Sequence, residues 1–145
     1  MPEFLELIAV LAATLFAGAA IYINIAEHPA RLSCGTEIAA TQWAPSYRRA
    51  TMMQAPLAIA ATAAGAARGL YGGEIWFAGA VLIGAVVPFT LLVIAPTNRH
   101  LLDPRRDRRS AETRALLDKW GRLHAVRSAL SIVASVLFVW AATLP

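Results

Sequence analysis

The sequence predicts an all-α protein: a bundle of four transmembrane helices running up-down-up-down, with a basic amphipathic extension ahead of the fourth. Three observations carry this. Of the 145 residues, 58% are hydrophobic and only 15% charged, where a soluble domain of this size carries more charge. The apolar residues fall in blocks long enough to cross a bilayer. The basic residues crowd into one polar segment instead of spreading over a surface. The net charge of +4 therefore reflects membrane topology, and nucleic acid is excluded as a partner.

The first helix is expected from Phe4 to about His28. No basic region precedes it, so it reads as a retained helix and not a cleaved signal peptide. Ala12, Ala13, Ala17, Gly18, Ala19 and Ala20 allow close helix approach. A loop is expected from Pro29 to about Arg49. It holds Cys34, the sole cysteine, so neither an intrachain disulfide nor a CxxC redox pair exists. Helix two is expected at about Ala50–Ala67, with Gln54 and Pro56 in its first turns. Gly72-Gly73 in the turn Arg68–Glu74 makes helices two and three antiparallel neighbours. Helix three is Ile75–Pro96, kinked at Pro88, with Thr90 near enough to satisfy freed backbone groups.

The segment Thr97 to Arg122 carries eight of the thirteen basic residues. Asp103-Pro104, and Ser110 followed by Glu112, are two candidate helix starts. Ala111–His124 reads as an amphipathic stretch lying on anionic headgroups. Helix four is about Trp120–Leu144. The chain is thus one domain, 1–145, with spans near 4–28, 50–67, 75–96 and 120–144.

Loops one and three share one side of such a bundle. Loop one carries Arg31, Arg48 and Arg49, and loop three carries the eight, whereas Arg68 alone marks the other side. The positive-inside rule places these loops in the cytoplasm and both termini outside, in a multi-pass protein of the inner or plasma membrane.

This topology gathers the polar residues of the spans at one end. Asn24, Glu27 and His28 share a helix face at i, i+3, i+4. They end helix one, where Pro29 biases the chain to stop or kink at His28. Gln54 begins helix two and Asn98 ends helix three. Trp120, His124 and Arg127 lie on one stripe at i, i+4, i+7 where helix four begins. Trp43 and Tyr47, four apart, either form an interfacial belt or roof a pocket. Polar groups at membrane depth mark a functional site by default, and one-sided clustering is what a single pocket predicts.

The residue types allow more than one chemistry. His28, His124 and Glu27, with His100 in reserve, have the composition of a two-histidine, one-carboxylate metal site, but no HxxxH or ExxH spacing supports it. Without a metal, a histidine or glutamate base can take a proton from an apolar aromatic substrate, with Arg127 and Asn98 stabilising the oxyanion and Trp43, Tyr47 and Trp120 stacking on the rings. The electron-rich anion then reacts with O2. The cofactor is left open: none, a metal or haem. No P-loop, Rossmann, GxSxG or HExxH pattern occurs, which excludes nucleotide-dependent and serine-hydrolase classes. A non-enzymatic subunit or small transporter is the third reading. The nearly apolar outer half of the spans argues against a transport path.

The run Tyr-x-Asn-x-x-Glu-His-Pro-Ala at Tyr22–Ala30 resembles a motif of the anthrone-oxygenase-like family of small four-helix membrane proteins. Trp43 with Tyr47, Pro96-Thr97-Asn98-x-x-Leu101, and Trp120-x-x-x-His124-x-x-Arg127 are similar to its other motifs, in the same order. The resemblance implies four transmembrane helices and, in characterised fungal members, oxidation of anthrones to anthraquinones with O2. It implies Glu27, His28, Asn98, His124 and Arg127 as pocket residues. The expected function is a membrane oxidoreductase or oxygenase acting on an anthrone- or quinone-like molecule. His28, Glu27 and His124 are the catalytic candidates. Asn24, Trp43, Tyr47, Gln54, Asn98, Trp120 and Arg127 are the substrate-binding candidates. The expected partners are the lipid bilayer, a small apolar aromatic substrate and, as an option left open, a second copy of the chain.

Overall fold

A computed structural model of the chain describes residues 2–144. Four helices run antiparallel in chain order: α1 (Pro2–Ser33), α2 (Thr36–Gly69), α3 (Glu74–Leu102) and α4 (Ala111–Thr143). Each packs against its sequence neighbours, and α4 closes the ring onto α1. The bundle is therefore the one expected. α1, α3 and α4 are long and apolar enough to cross a membrane. α2 is longer still, but it carries Arg48, Arg49 and Gln54 and an alanine-rich second half. Leu7, Leu11, Leu15, Val81, Leu92, Val136 and Trp140 project outward, an apolar exterior suited to lipid.

The helix starts and stops differ from the expected ones in several places. The stretch expected as loop one is almost wholly helical. The connection shrinks to Cys34–Gly35, with Gly35 at φ 91°, a conformation that favours glycine. α2 begins at Thr36 because Ala39, Ala40 and Trp43 form a buried face at helical spacing. The polar residues between them, and Pro45, disguise it as a loop. The second difference lies ahead of α4. Ser110 is the cap, its Oγ accepting the Thr113 N–H at 3.2 Å. Asp103-Pro104 sits in the preceding turn, where the Asp103 carboxylate accepts the Arg105 N–H at 2.9 Å. That bond holds the Asp103 carboxyl below the ordinary carboxylate range. The expected basic extension is continuous with the fourth span.

α1 does not end at His28. Five residues, Ile23–Glu27, form a π-helical turn, and the His28 N–H bonds the Ile23 carbonyl. Pro29 then follows without breaking the helix. Its missing N–H and its ring would otherwise disturb the preceding turn, and widening that turn absorbs the conflict. α3 repeats the device: a π turn at Thr90–Ile94 stands two residues ahead of Pro96. The Thr90 hydroxyl donates to the Val86 carbonyl at 2.7 Å, not to the Gly84 carbonyl that Pro88 leaves without its helical partner. Both π turns lie in the half of the bundle that holds the polar residues.

The other half is a dry core of small residues around two large rings. Phe138 fills the space beside Gly65 and Gly79 and stacks on Trp76 at 5.5 Å. A Cβ at Gly79 would lie 2.5 Å from the Phe138 ring. Gly79→Ala should therefore destabilise the bundle by about 1–3 kcal/mol through overpacking. Adding Phe138→Leu should recover part of the loss. Thermal melts in detergent check both.

Candidate functional site

Where α1, α2 and α4 meet, the polar side chains fall into two separate networks. The first is built on Asn24, in the π turn. Its Nδ2 donates to the Gly121 carbonyl at 3.0 Å, which fixes the orientation of the amide. Its Oδ1 then accepts from the Ser128 hydroxyl at 2.6 Å and from His124 Nδ1 at 2.7 Å. Because an amide oxygen can only accept, the His124 proton resides on Nδ1. Nε2 is left as the acceptor nitrogen, with no protein hydrogen bond among the described residues.

The second network is built on Glu27. Its Oε1 accepts from Arg31, from the Ser46 hydroxyl and from Gln42 Nε2, the last at 3.1 Å. Arg31 is buried and neutralised by this carboxylate. Glu27 makes no hydrogen bond to either histidine. The side chain that orients the His124 ring is Asn24.

Arg127 differs from Arg31. Its Nη2 donates to Gln54 Oε1 at 3.0 Å, and its guanidinium lies 5.5 Å from the Phe16 ring centroid. Among the described residues no carboxylate pairs with it. Its Nε and the Gln54 Nε2 are buried donors without partners. Buried donors and charges are normally satisfied; Arg31 Nε and Trp43 Nε1 share this lack of a partner.

A small internal chamber of about 10 Å³ opens there, lined by Arg127, His124, Gln54, Trp120, Tyr47 and Arg31. That is room for one oxygen atom or one water. Ile23, Ser46, Ala50 and Gln54 also line a much larger cleft of about 500 Å³ between α1 and α2. The two spaces thus share a wall.

The aromatic residues stand behind the chamber. Trp43 stacks on Tyr47 at 5.0 Å and meets Trp120 edge-on at 5.7 Å. Trp43 is fully buried, so it is a packing element and not an interfacial anchor. Trp120 lies 4.8 Å from the His124 ring and 5.0 Å from the His28 ring.

Comparison with known proteins places the chain in a family. The model of the anthrone oxygenase family matches residues 43–137, well over half of the sequence. The chain belongs to the anthrone oxygenase family. The anthrone oxygenase tpcL of Aspergillus fumigatus is 46% identical over 61 residues, which cover 40% of this chain and 38% of that protein. No solved structure matches. The family match includes Trp43, Tyr47, Gln54, Asn98, Trp120, His124 and Arg127, and begins after the Tyr22–Ala30 run.

In this anthrone oxygenase family member the expected residues separate into three groups. Asn24, Gln54, Trp120, His124, Arg127 and Tyr47 surround or support the chamber. His28 is buried beside it but lines neither space. Its Nε2 donates to the Leu117 carbonyl at 3.0 Å, and its ring packs on Gly121. Asn98 is buried with its Oδ1 unpartnered, and it too lines neither space. His100 is exposed on α3 near Arg106 and Lys119.

Among the described residues no three His, Cys, Asp or Glu side chains gather as a metal site would require. His28 and His124 spend a nitrogen each on Leu117 and Asn24, and Glu27 is held by Arg31. Arg31, Ser46 and Ser128 were not expected from the sequence. Arg31 stands i+4 from Glu27 and Ser128 i+4 from His124, spacings that carry the signal. Ser46 has none.

Asn24→Ala should orphan the Ser128 and His124 donors and cost about 1–3 kcal/mol of stability. It should also release the imidazole tautomer. In 15N spectra of labelled histidine, native His124 should carry its proton on Nδ1, and the variant should show a mixture.

Proposed function

We propose that this protein is an integral membrane oxygenase that oxidises an apolar hydroxylated aromatic of the anthrone type. The observation that supports it best is the half-buried Arg127 side chain, whose Nε is enclosed. Among the described residues it has no acidic partner, and it shares a chamber with the acceptor nitrogen of His124. A half-buried cation without a carboxylate, beside an acceptor nitrogen, suits an oxygen that is protonated on arrival and anionic afterwards.

The size of the chamber decides which proton moves. It admits an oxygen atom but not a ring. A substrate presenting its enol tautomer would place the hydroxyl inside, and His124 Nε2 would take that proton. The charge left on the oxygen would rest against Arg127 and Gln54 Nε2. The ring carbon opposite the oxygen becomes electron-rich and stays in the open cleft, where O2 can reach it. That carbon gives its electrons to O2 and forms a C–O bond. Loss of its remaining hydrogen as a proton, with cleavage of the O–O bond, yields the second carbonyl and one water. Overall a CH2 group and O2 become C=O and H2O. The substrate anion supplies the reducing power for the first electron transfer.

The basic end of the bundle carries Arg48, Arg49, Arg99, Arg105 and Arg108, against Arg68 at the other end, where Glu6 binds it at 2.6 Å. The positive-inside rule supports a cytoplasmic position for this end and for the chamber, with the termini outside.

His124→Ala should lower the catalysed rate by about 10²–10⁴-fold, the range for a lost general base. Arg127→Met should lower it by about 10²–10³-fold, as for a lost oxyanion donor. Both should leave the helical spectrum unchanged. The assay is O2 consumption with an anthrone in detergent, with the spontaneous oxidation rate subtracted. Native rates in both variants would overturn the assignment.

A further inference from the structure

The chamber holds only one atom, so the rest of the substrate must lie elsewhere. We infer that the cleft between α1 and α2 is the ring-binding site and lateral port, and that it takes flat polycyclic molecules with a second hydroxyl that donates to the Glu27 carboxylate. This rests on the proposed oxygenase reading and extends it to the part of the substrate that does not react.

Three observations converge. The cleft measures about 500 Å³, within the range of small-molecule sites and ample for three fused rings. It shares Ile23, Ala50 and Gln54 with the chamber. Gln54 is only 2% exposed, and its Nε2 has no partner. The two spaces therefore meet at a buried unsatisfied donor, and Ala50 is the small residue beside that meeting point.

The second observation is the character of the walls. The side toward the middle of the bundle is apolar, formed by Ala19, Tyr22, Ile23 and Met53. Tyr22 and Met53 are 60% and 50% exposed, on the outward surface where lipid would lie. A molecule dissolved in the bilayer can enter there without crossing water.

The third is the opposite lip, formed by Glu27, Gln42, Ser46 and Arg49. Every hydrogen bond to Glu27 falls on Oε1. Oε2 is left as an acceptor at the mouth of the cleft, suited to a donor such as a ring hydroxyl. A fatty acyl chain would fill the apolar wall but offer nothing to this carboxylate.

The test is protection from a thiol reagent. Cys34 is the chain's only cysteine, so Cys34→Ser with Met53→Cys places a single thiol in the cleft. Cys34→Ser with Val81→Cys places one on an exposed position of α3 as control. A hydroxylated anthraquinone serves as the ligand, and quenching of tryptophan fluorescence reports its binding independently. At about ten times Kd the ligand should slow labelling at position 53 about tenfold by mass action, and leave position 81 unaffected. Ala50→Phe should weaken binding at least about tenfold, the effect of blocking a well-packed site. Quenching without protection at position 53 would overturn the cleft, as would unchanged binding by Ala50→Phe. The two readings fail separately. Native turnover of an anthrone with no protection removes the cleft alone. Protection without turnover removes the oxygenase reading and leaves a binding site for this class of molecule.

Discussion

The amide of Asn24 joins the first helix to the last through a carbonyl, a hydroxyl and an imidazole. Each bond constrains the others. The bond to Gly121 decides which end of the amide is oxygen, and that oxygen decides which nitrogen of His124 is protonated. Without this joint the acceptor nitrogen of His124 would have no fixed place. The joint in turn depends on the π turn at Ile23–Glu27. An ordinary helical turn advances each side chain by 100° or so, and the extra residue in the π turn resets the face on which Asn24 and Glu27 emerge. Pro29 makes the turn necessary, and the site makes use of it.

Two arginines at the same end, Arg31 buried and Arg127 half-buried, show how charge is apportioned. Arg31 meets the Glu27 carboxylate and Ser46, so its charge is matched even though its Nε, like that of Arg127, has no partner. Arg127 meets an amide oxygen and an aromatic face. A neutral partner satisfies the geometry of a guanidinium but not its charge. The difference between the two is what makes one of them structural and the other suited to an incoming oxyanion. The separation of a one-atom chamber from a ring-sized cleft follows the same division: charge is handled inside, and apolar surface is handled toward the lipid.

Much of this was legible in the sequence. The apolar blocks gave a four-helix bundle, and alternation of the helices brought Asn24, Gln54 and the Trp120–His124–Arg127 stripe to one end. Periodicity is a property of side chains, and these residues advertise theirs. The beginning of α2 was hidden because Pro45 and the charged residues around it outweigh the buried Ala39, Ala40 and Trp43 in any local reading. The π turns were hidden for another reason: they are shifts in backbone hydrogen bonding, and no residue type encodes them beyond a nearby proline. Glu27 and His28 share a helix face in the sequence, but the carboxylate pairs with Arg31. Arg31, one turn on, was the better partner for a carboxylate in a low-dielectric setting. Asn98 and His28 have the right depth but face other packing surfaces, a distinction of helix rotation that topology alone does not resolve.

The central claim is that a substrate oxygen meets Arg127 while its rings lie between α1 and α2. The most direct measurement is an experimental structure with a hydroxylated anthraquinone bound. The account predicts a ligand oxygen within about 3 Å of the Arg127 guanidinium or Gln54 Nε2, at hydrogen-bond distance, with the ring system passing Ala50 toward Tyr22 and Met53. A ligand seated at the other end of the bundle, against Arg68 and Trp76, with nothing but water beside Arg127, would contradict it.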